Sequence, residues 1–143
     1  WLHARLRAAS RAVHAELGDE LCPVGVDALG RWAPRYEPAQ YAEYAPGCHY
    51  NAWHTDAEVD SEDTEDLRAV TIVVLLADEG AYDGGDCQVR SGGGRPGVKP
   101  GKPRTVPLRA GDAIGFPSQR LEHRVLPVTR GLRQSIVFWA KRR

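Results

Sequence analysis

The chain of 143 residues has no methionine, three cysteines and only two phenylalanines. Without an initiating methionine it reads as a domain excised from a longer chain, and any leader or targeting segment is expected to lie outside it. The compartment therefore stays open, with a lean toward an intracellular one. Cys22, Cys48 and Cys87 are odd in number, widely spaced and lack a Cys-x-x-Cys pair. That argues against a disulfide framework or a thiolate zinc site and leaves buried or idle thiols. No apolar run approaches the roughly 20 residues of a membrane-spanning helix, so no membrane partner is expected. Net charge is absent too, since 19 Lys and Arg balance 19 Asp and Glu.

That balance is uneven along the chain. Residues 1–89 hold 17 acids against 6 Lys and Arg, whereas residues 90–143 hold 2 acids against 13. A basic C-terminal part invites a nucleic-acid reading. In a fold whose strands interleave early and late sequence the two halves neutralise each other, and this is the preferred account. At 42% hydrophobic and 27% charged residues the composition is that of an ordinary globular protein. A chain of this length buries roughly two thirds of its unfolded surface, enough for one core. One domain over 1–143 is expected, with helical support in 1–35 and a β-barrel core in 40–143.

Leu2, Leu6, Ala9, Val13 and Leu17 recur at helical steps, with Arg and Glu between them, and Gly18 follows. The pattern predicts an amphipathic helix that stops at Gly18. A weaker helix is expected near 25–32, ahead of Pro34. From Tyr41 onward short apolar runs alternate with Gly, Pro and Asp, which predicts strands. Residues 69–76 are β-branched almost throughout and apolar on both faces, as in a central buried strand. Further strands are expected at 86–90, 104–108, 112–116, 122–128 and 132–140, with turns at Asp83-Gly84-Gly85-Asp86 and Ala110-Gly111-Asp112. Two segments break the pattern: 56–66, with seven acids, reads as a solvated loop, and 91–103, rich in Gly, Pro and basic residues, as an excursion. One helix followed by many short strands predicts a mainly β barrel or sandwich with helical support.

His54-Thr55-Asp56 places two metal-ligating side chains two residues apart, and on a strand such residues share a face. With His123 they make a two-histidine, one-carboxylate set, which suits a non-haem Fe(II) centre with open positions for substrate and oxygen. Arg133 follows His123 by ten residues on an apolar strand, with Ser135 on the same face. A buried guanidinium needs an anionic partner, and a planar fork holds a carboxylate bidentately. Strand parity alone leaves open whether Arg133 points inward or to solvent.

Taken together, these motifs resemble the Fe(II)/2-oxoglutarate-dependent dioxygenases, and within them the prolyl-4-hydroxylase-like group. Tyr44-x-x-Gly47-x-x-Tyr50 leading to His54-x-Asp56 is similar to that group's segment, as are Arg68-x-x-Thr71, Gly84-Gly85, Gly111-Asp112 before Phe116-Pro117, and His123-Arg124-Val125 followed by Gly131 and Arg133. The likeness covers about Gln40 to Ala140. It implies a double-stranded β-helix, or jelly-roll barrel, behind an N-terminal supporting helix. It implies that His54, Asp56 and His123 bind Fe(II), that Arg133 holds the 2-oxoglutarate C5 carboxylate, and that the Tyr44 hydroxyl meets the same cosubstrate; Ser135, sharing the strand face of Arg133 by period two, is expected to add a hydrogen bond. O2 is the oxidant and ascorbate a candidate reductant. The implied reaction hydroxylates a C–H bond, with succinate and CO2 released; Asp56, absent from related halogenases, favours hydroxylation. A prolyl residue of a peptide or protein is the expected substrate, and the acids of 56–66 suggest a basic one. One departure is plain: three residues, Asn51-Ala52-Trp53, separate Tyr50 from His54 where the pattern has two. A β-bulge is expected to absorb the extra residue.

Rival readings are a catalytically inactive barrel serving as a binding module, and an oxygenase acting on a small molecule or on nucleic acid. Nucleic-acid demethylases resemble this chain but carry a second Arg six residues after the first, where Trp139 stands; aromatic packing is expected there. The acids of 56–66 also repel phosphate. A hydrolytic zinc site gives Arg133 no task. Gly92-x-Gly94-x-x-Gly97 matches a dinucleotide fingerprint in form, but Pro96 and Pro100 forbid the helix that phosphate binding requires.

Overall fold

The computed structural model describes residues 1–21, 33–57, 67–92 and 97–142. Helix α1 (Leu2–Leu21) is interrupted at Gly18, whose φ of 73° and ψ of 173° end the regular turns at the expected place. The helix expected near 25–32 and the acids of 58–66 lie outside the described residues. No helix among those described is long and apolar enough to cross a membrane.

Eleven strands follow among the described residues. A five-stranded sheet holds β1 (Arg35–Tyr36), β2 (Gln40–Tyr44), β4 (Arg68–Leu75), β8 (Ala113–Pro117) and β11 (Arg133–Lys141), in the order β1-β11-β4-β8 with β2 also on β11. A four-stranded sheet runs β3 (Tyr50–His54), β9 (Leu121–Val125), β6 (Cys87–Ser91) and β7 (Arg104–Thr105). β5 (Tyr82–Gly84) pairs with β10 (Val128–Gly131). Every pairing described is antiparallel. The longer strands alternate between the two large sheets along the chain, and a cavity lies between them. This is the double-stranded β-helix that the motifs imply.

The expected strand at 69–76 is β4, and it is central: β11 lies on one edge and β8 on the other. Its two apolar faces have different tasks. Val70, Ile72 and Val74 oppose Ala140, Phe138 and Ile136 of β11; Val70, Ile72, Phe138 and Ala140 form a buried cluster with Leu6 of α1, and Leu2, Ala9, Val13 and Leu17 of the helix pack against it. Gly115 of β8 permits that approach, because a Cβ there would collide with Val13 of the helix. The alternate residues, Thr71 and Val73 with Ser135, Val137 and Trp139, fall on the other face, toward the second sheet. Two expected strands are shorter than anticipated. The run 104–108 pairs only at Arg104–Thr105, and 122–128 breaks at Leu126-Pro127 into β9 and β10. Proline has no N–H to continue a ladder, which accounts for the break.

Candidate functional site

The cavity between the sheets measures about 280 Å³. His54, Asp56 and His123 line it, and their ligand atoms all lie within 4.8 Å of one another. His54 is the last residue of β3 and pairs directly with His123 of β9, so cross-strand register brings the two rings to 4.1 Å between centroids. Asp56 corrects the strand-parity argument. It lies beyond the end of β3, in a bend, and not on the strand itself. The bend is tied down by the Asp56 N–H donating to the Ser118 carbonyl at 2.9 Å.

The second histidine-to-carboxylate approach is equally close: Asp56 Oδ1 stands 3.7 Å from His54 Nε2 and 3.6 Å from His123 Nε2. Asp56 Oδ2 is taken by two donors, the Thr71 hydroxyl at 2.6 Å and the Trp139 indole N–H at 3.1 Å. One oxygen is therefore anchored and the other left facing the imidazoles. Each imidazole is fixed in the same manner, Nδ1–H donating to the carbonyl two residues back, Ala52 at 3.0 Å for His54 and Leu121 at 3.4 Å for His123. That tautomer frees both Nε2 lone pairs for a metal. Burial holds the His123 imidazole below its ordinary pKa, against the opposing pull of the Asp56 charge, so it is neutral and able to ligate at pH 7. Two imidazole nitrogens and a carboxylate oxygen are donor types suited to Fe(II), and the residues fit that ion.

Arg133 lines the same cavity and settles the question that parity left open. It is 2% exposed and lies on the face shared with Ser135 and Trp139. Its Nη1 donates to the Ser135 hydroxyl at 3.2 Å, while Nε has no partner among the described atoms. Among the described residues no carboxylate pairs with it. A buried cation with an orphaned donor is costly unless an anion completes it, and a carboxylate is the complement of a guanidinium fork. Tyr44 is its cross-strand partner, the guanidinium carbon lying 5.3 Å from the ring centroid. Burial raises the Tyr44 hydroxyl pKa, which keeps it a donor. Cys87 is buried beside the same cavity, and burial raises its thiol pKa; Cys48 is free and exposed, and Cys22 lies outside the described residues.

Trp139, expected from the sequence to pack at the end of the last strand, does more than pack. Its indole also anchors Asp56 and carries the Arg68 guanidinium 3.7 Å from its ring centroid. Arg68 is gripped by Glu37 through two hydrogen bonds of 2.7 Å. The Arg68-x-x-Thr71 motif pointed to this corner of the fold, whereas nothing in the local sequence marks Glu37.

The model of the 2OG-Fe(II) oxygenase superfamily matches residues 39–141. The chain belongs to that superfamily. Within the oxygenases, a PKHD-type hydroxylase from Acidovorax ebreus (strain TPSY) is 36% identical over 108 residues, 71% of this chain and 42% of that protein. The chain thus spans about two fifths of the length of the curated oxygenase relatives it matches. Among solved structures, a prolyl-4-hydroxylase from Pseudomonas putida superposes with a TM-score of 0.57 at 29% identity, covering 76% of this chain and 52% of that one. The viral collagen prolyl hydroxylase from Paramecium Bursaria Chlorella virus-1 shares the fold more fully, at a TM-score of 0.65, 20% identity, and coverage of 98% and 72%.

Proposed function

We propose that this domain is an Fe(II)- and 2-oxoglutarate-dependent hydroxylase in which His54, Asp56 and His123 hold the metal and Arg133 holds the C5 carboxylate of 2-oxoglutarate. The observation that carries this reading is the pairing, in one cavity, of the three-donor set with a buried arginine that has an orphaned Nε and no carboxylate partner among the described residues. Membership of the superfamily supports it. When bound, the metal with 2-oxoglutarate and O2 supplies the oxidising power to place a hydroxyl on a C–H bond, leaving succinate and CO2.

The protein's own groups orient the reactants. Asp56 presents Oδ1 because Oδ2 is held by Thr71 and Trp139. Ser135 accepts from Arg133 and keeps its own hydroxyl hydrogen for the bound carboxylate, and Tyr44 offers a second donor. The preferred substrate is a prolyl residue of a peptide. The relatives named hydroxylases support this, as does the rim: Tyr50 is 54% exposed and sets its ring edge-on to His54 at 4.3 Å, giving an apolar face beside the metal ligands.

Anaerobic Fe(II) addition followed by 2-oxoglutarate titration tests the centre through the metal-to-cosubstrate charge-transfer absorbance. Succinate release screened over proline-containing peptides, free amino acids and small molecules, with and without ascorbate, tests the substrate. Absence of the absorbance overturns the oxygenase reading in favour of a binding module, and release with small molecules alone overturns the prolyl assignment.

A further inference from the structure

The extra residue before His54 is absorbed where a metal ligand has to be held. Tyr50 of β3 pairs with Val125 of β9 and His54 with His123, so Asn51, Ala52 and Trp53 stand opposite Arg124 alone. Three residues against one cannot maintain a ladder, and the strand bearing His54 loses regular pairing over the stretch that leads into it. The other edge of β9 shows no such defect, running in continuous register with β6 from Cys87–Val125 to Ser91–Leu121. β9 is thus firmly placed on one side and loosely joined to β3 on the other.

Side chains of the firm pair reach across to the bulge. Arg124 stacks its guanidinium carbon 4.4 Å from the centroid of the Trp53 ring, and Arg90 of β6 stacks on the same ring at 4.3 Å. Both arginines are themselves fixed. Arg124 donates twice to the Gln88 side-chain oxygen, at 3.0 and 2.8 Å, and Arg90 donates to the carboxylate of Glu122. Gln88 and Arg124, like Arg90 and Glu122, are cross-strand partners in the regular β6–β9 register. The indole is therefore held by two cations whose positions the intact part of the sheet dictates. Trp53 adjoins His54, and Glu122 and Arg124 flank His123, so the same cluster touches both histidine-bearing strands on their outer side.

We propose that Trp53 is a positioning residue for the metal centre: its indole, gripped by Arg90 and Arg124, replaces the lost ladder and holds the bulge so that the Ala52 carbonyl and the His54 ring stay aligned. This rests on the reading of His54, Asp56 and His123 as metal ligands. The bulge is then part of the site's construction in this chain, compensated by an aromatic residue at its last position.

The test is anaerobic titration of the purified chain with Co(II), read by its visible d–d absorption, in which the unsubstituted chain must first bind. If it does not, the metal-site reading itself fails. Trp53→Ala is expected to weaken Co(II) about tenfold, in the range seen when groups behind a ligand are removed, and Trp53→Phe to restore most of that loss. In a His54→Ala background, Trp53→Ala is expected to cost nothing further, because its effect runs through His54. Unchanged Co(II) affinity in Trp53→Ala, or a loss that persists undiminished without His54, overturns the proposal. Should Trp53→Ala not fold, the double change Arg90→Gln with Arg124→Gln keeps the ring and releases its grip; a weakened, His54-dependent affinity supports the proposal and an unchanged one overturns it.

Discussion

Trp139 donates its indole N–H to Asp56 Oδ2 at 3.1 Å across 83 residues of sequence, and Thr71 donates to the same oxygen at 2.6 Å. The carboxylate is thereby locked in rotation with Oδ1 toward His54 and His123. If Asp56 ligates a metal as proposed, a carboxylate aimed in advance would lose less freedom on binding it.

Removing either donor is expected to weaken metal binding without removing a ligand. Trp139→Phe keeps a ring for Arg68 and Thr71→Val keeps the volume, and each is expected to cost about tenfold in Fe(II) affinity. Anaerobic metal titration checks this, and affinity equal to the parent's in both would show that Asp56 needs no anchor.

Arg133→Met is expected to separate cosubstrate binding from folding. Arg133 is 2% exposed and its Nε lacks a partner among the described residues, so an apolar replacement should leave the metal-free protein melting at the same temperature or higher. The same change should cost about 2–5 kcal/mol of 2-oxoglutarate affinity, at least ~30-fold, with little effect on Fe(II). Calorimetric melting and 2-oxoglutarate titration are the measurements.

Gly85→Ala is expected to disturb Arg133 from behind. Gly85 has φ 65°, and a Cβ there would lie 2.8 Å from Arg133 Cδ and 2.9 Å from Val128 Cγ2. The left-handed conformation alone costs roughly 1–2 kcal/mol for an L side chain. Lower melting temperature together with weaker 2-oxoglutarate binding is the expected outcome; loss of stability alone would place Arg133 outside Gly85's influence.

The Glu37–Arg68 pair predicts an acid-side loss of stability. Hydrogen bonds from Arg68 hold the Glu37 carboxyl below its ordinary pKa of 4.5, with burial opposing. A depressed folded-state pKa contributes stability that is fully present above 4.5 and is lost as pH falls through the lower folded value. Glu37→Gln should therefore be less stable than the parent near neutrality and converge on it below that window. Denaturant unfolding at a series of pH values measures the gap, and a constant gap would remove the pair from the acid response.

Periodicity carried much of the fold. The Leu2 to Leu17 stripe is the face that α1 packs on the sheet, and the doubly apolar run is β4, covered by a helix on one side and facing the cavity on the other. The candidate site residues His54, Asp56, His123 and Arg133 were legible because the proposed chemistry requires those residue types. The strand-parity explanation for His54 and Asp56 was not right, since β3 stops at His54 and a bend brings the carboxylate round. A spacing of two is compatible with both geometries, which is why spacing did not distinguish them.

By itself, the sequence determined the helix, the barrel class, the order of the donors and the presence of an irregularity before His54, because each is written in local spacing and residue type. Tertiary structure alone decided that Arg133 faces inward, that Trp139 and Thr71 hold one oxygen of Asp56, that Glu37 grips Arg68, and that Arg90 and Arg124 close on Trp53. These contacts join residues 15 to 83 positions apart. Their partners are chosen by sheet register and packing, which short-range patterns do not encode.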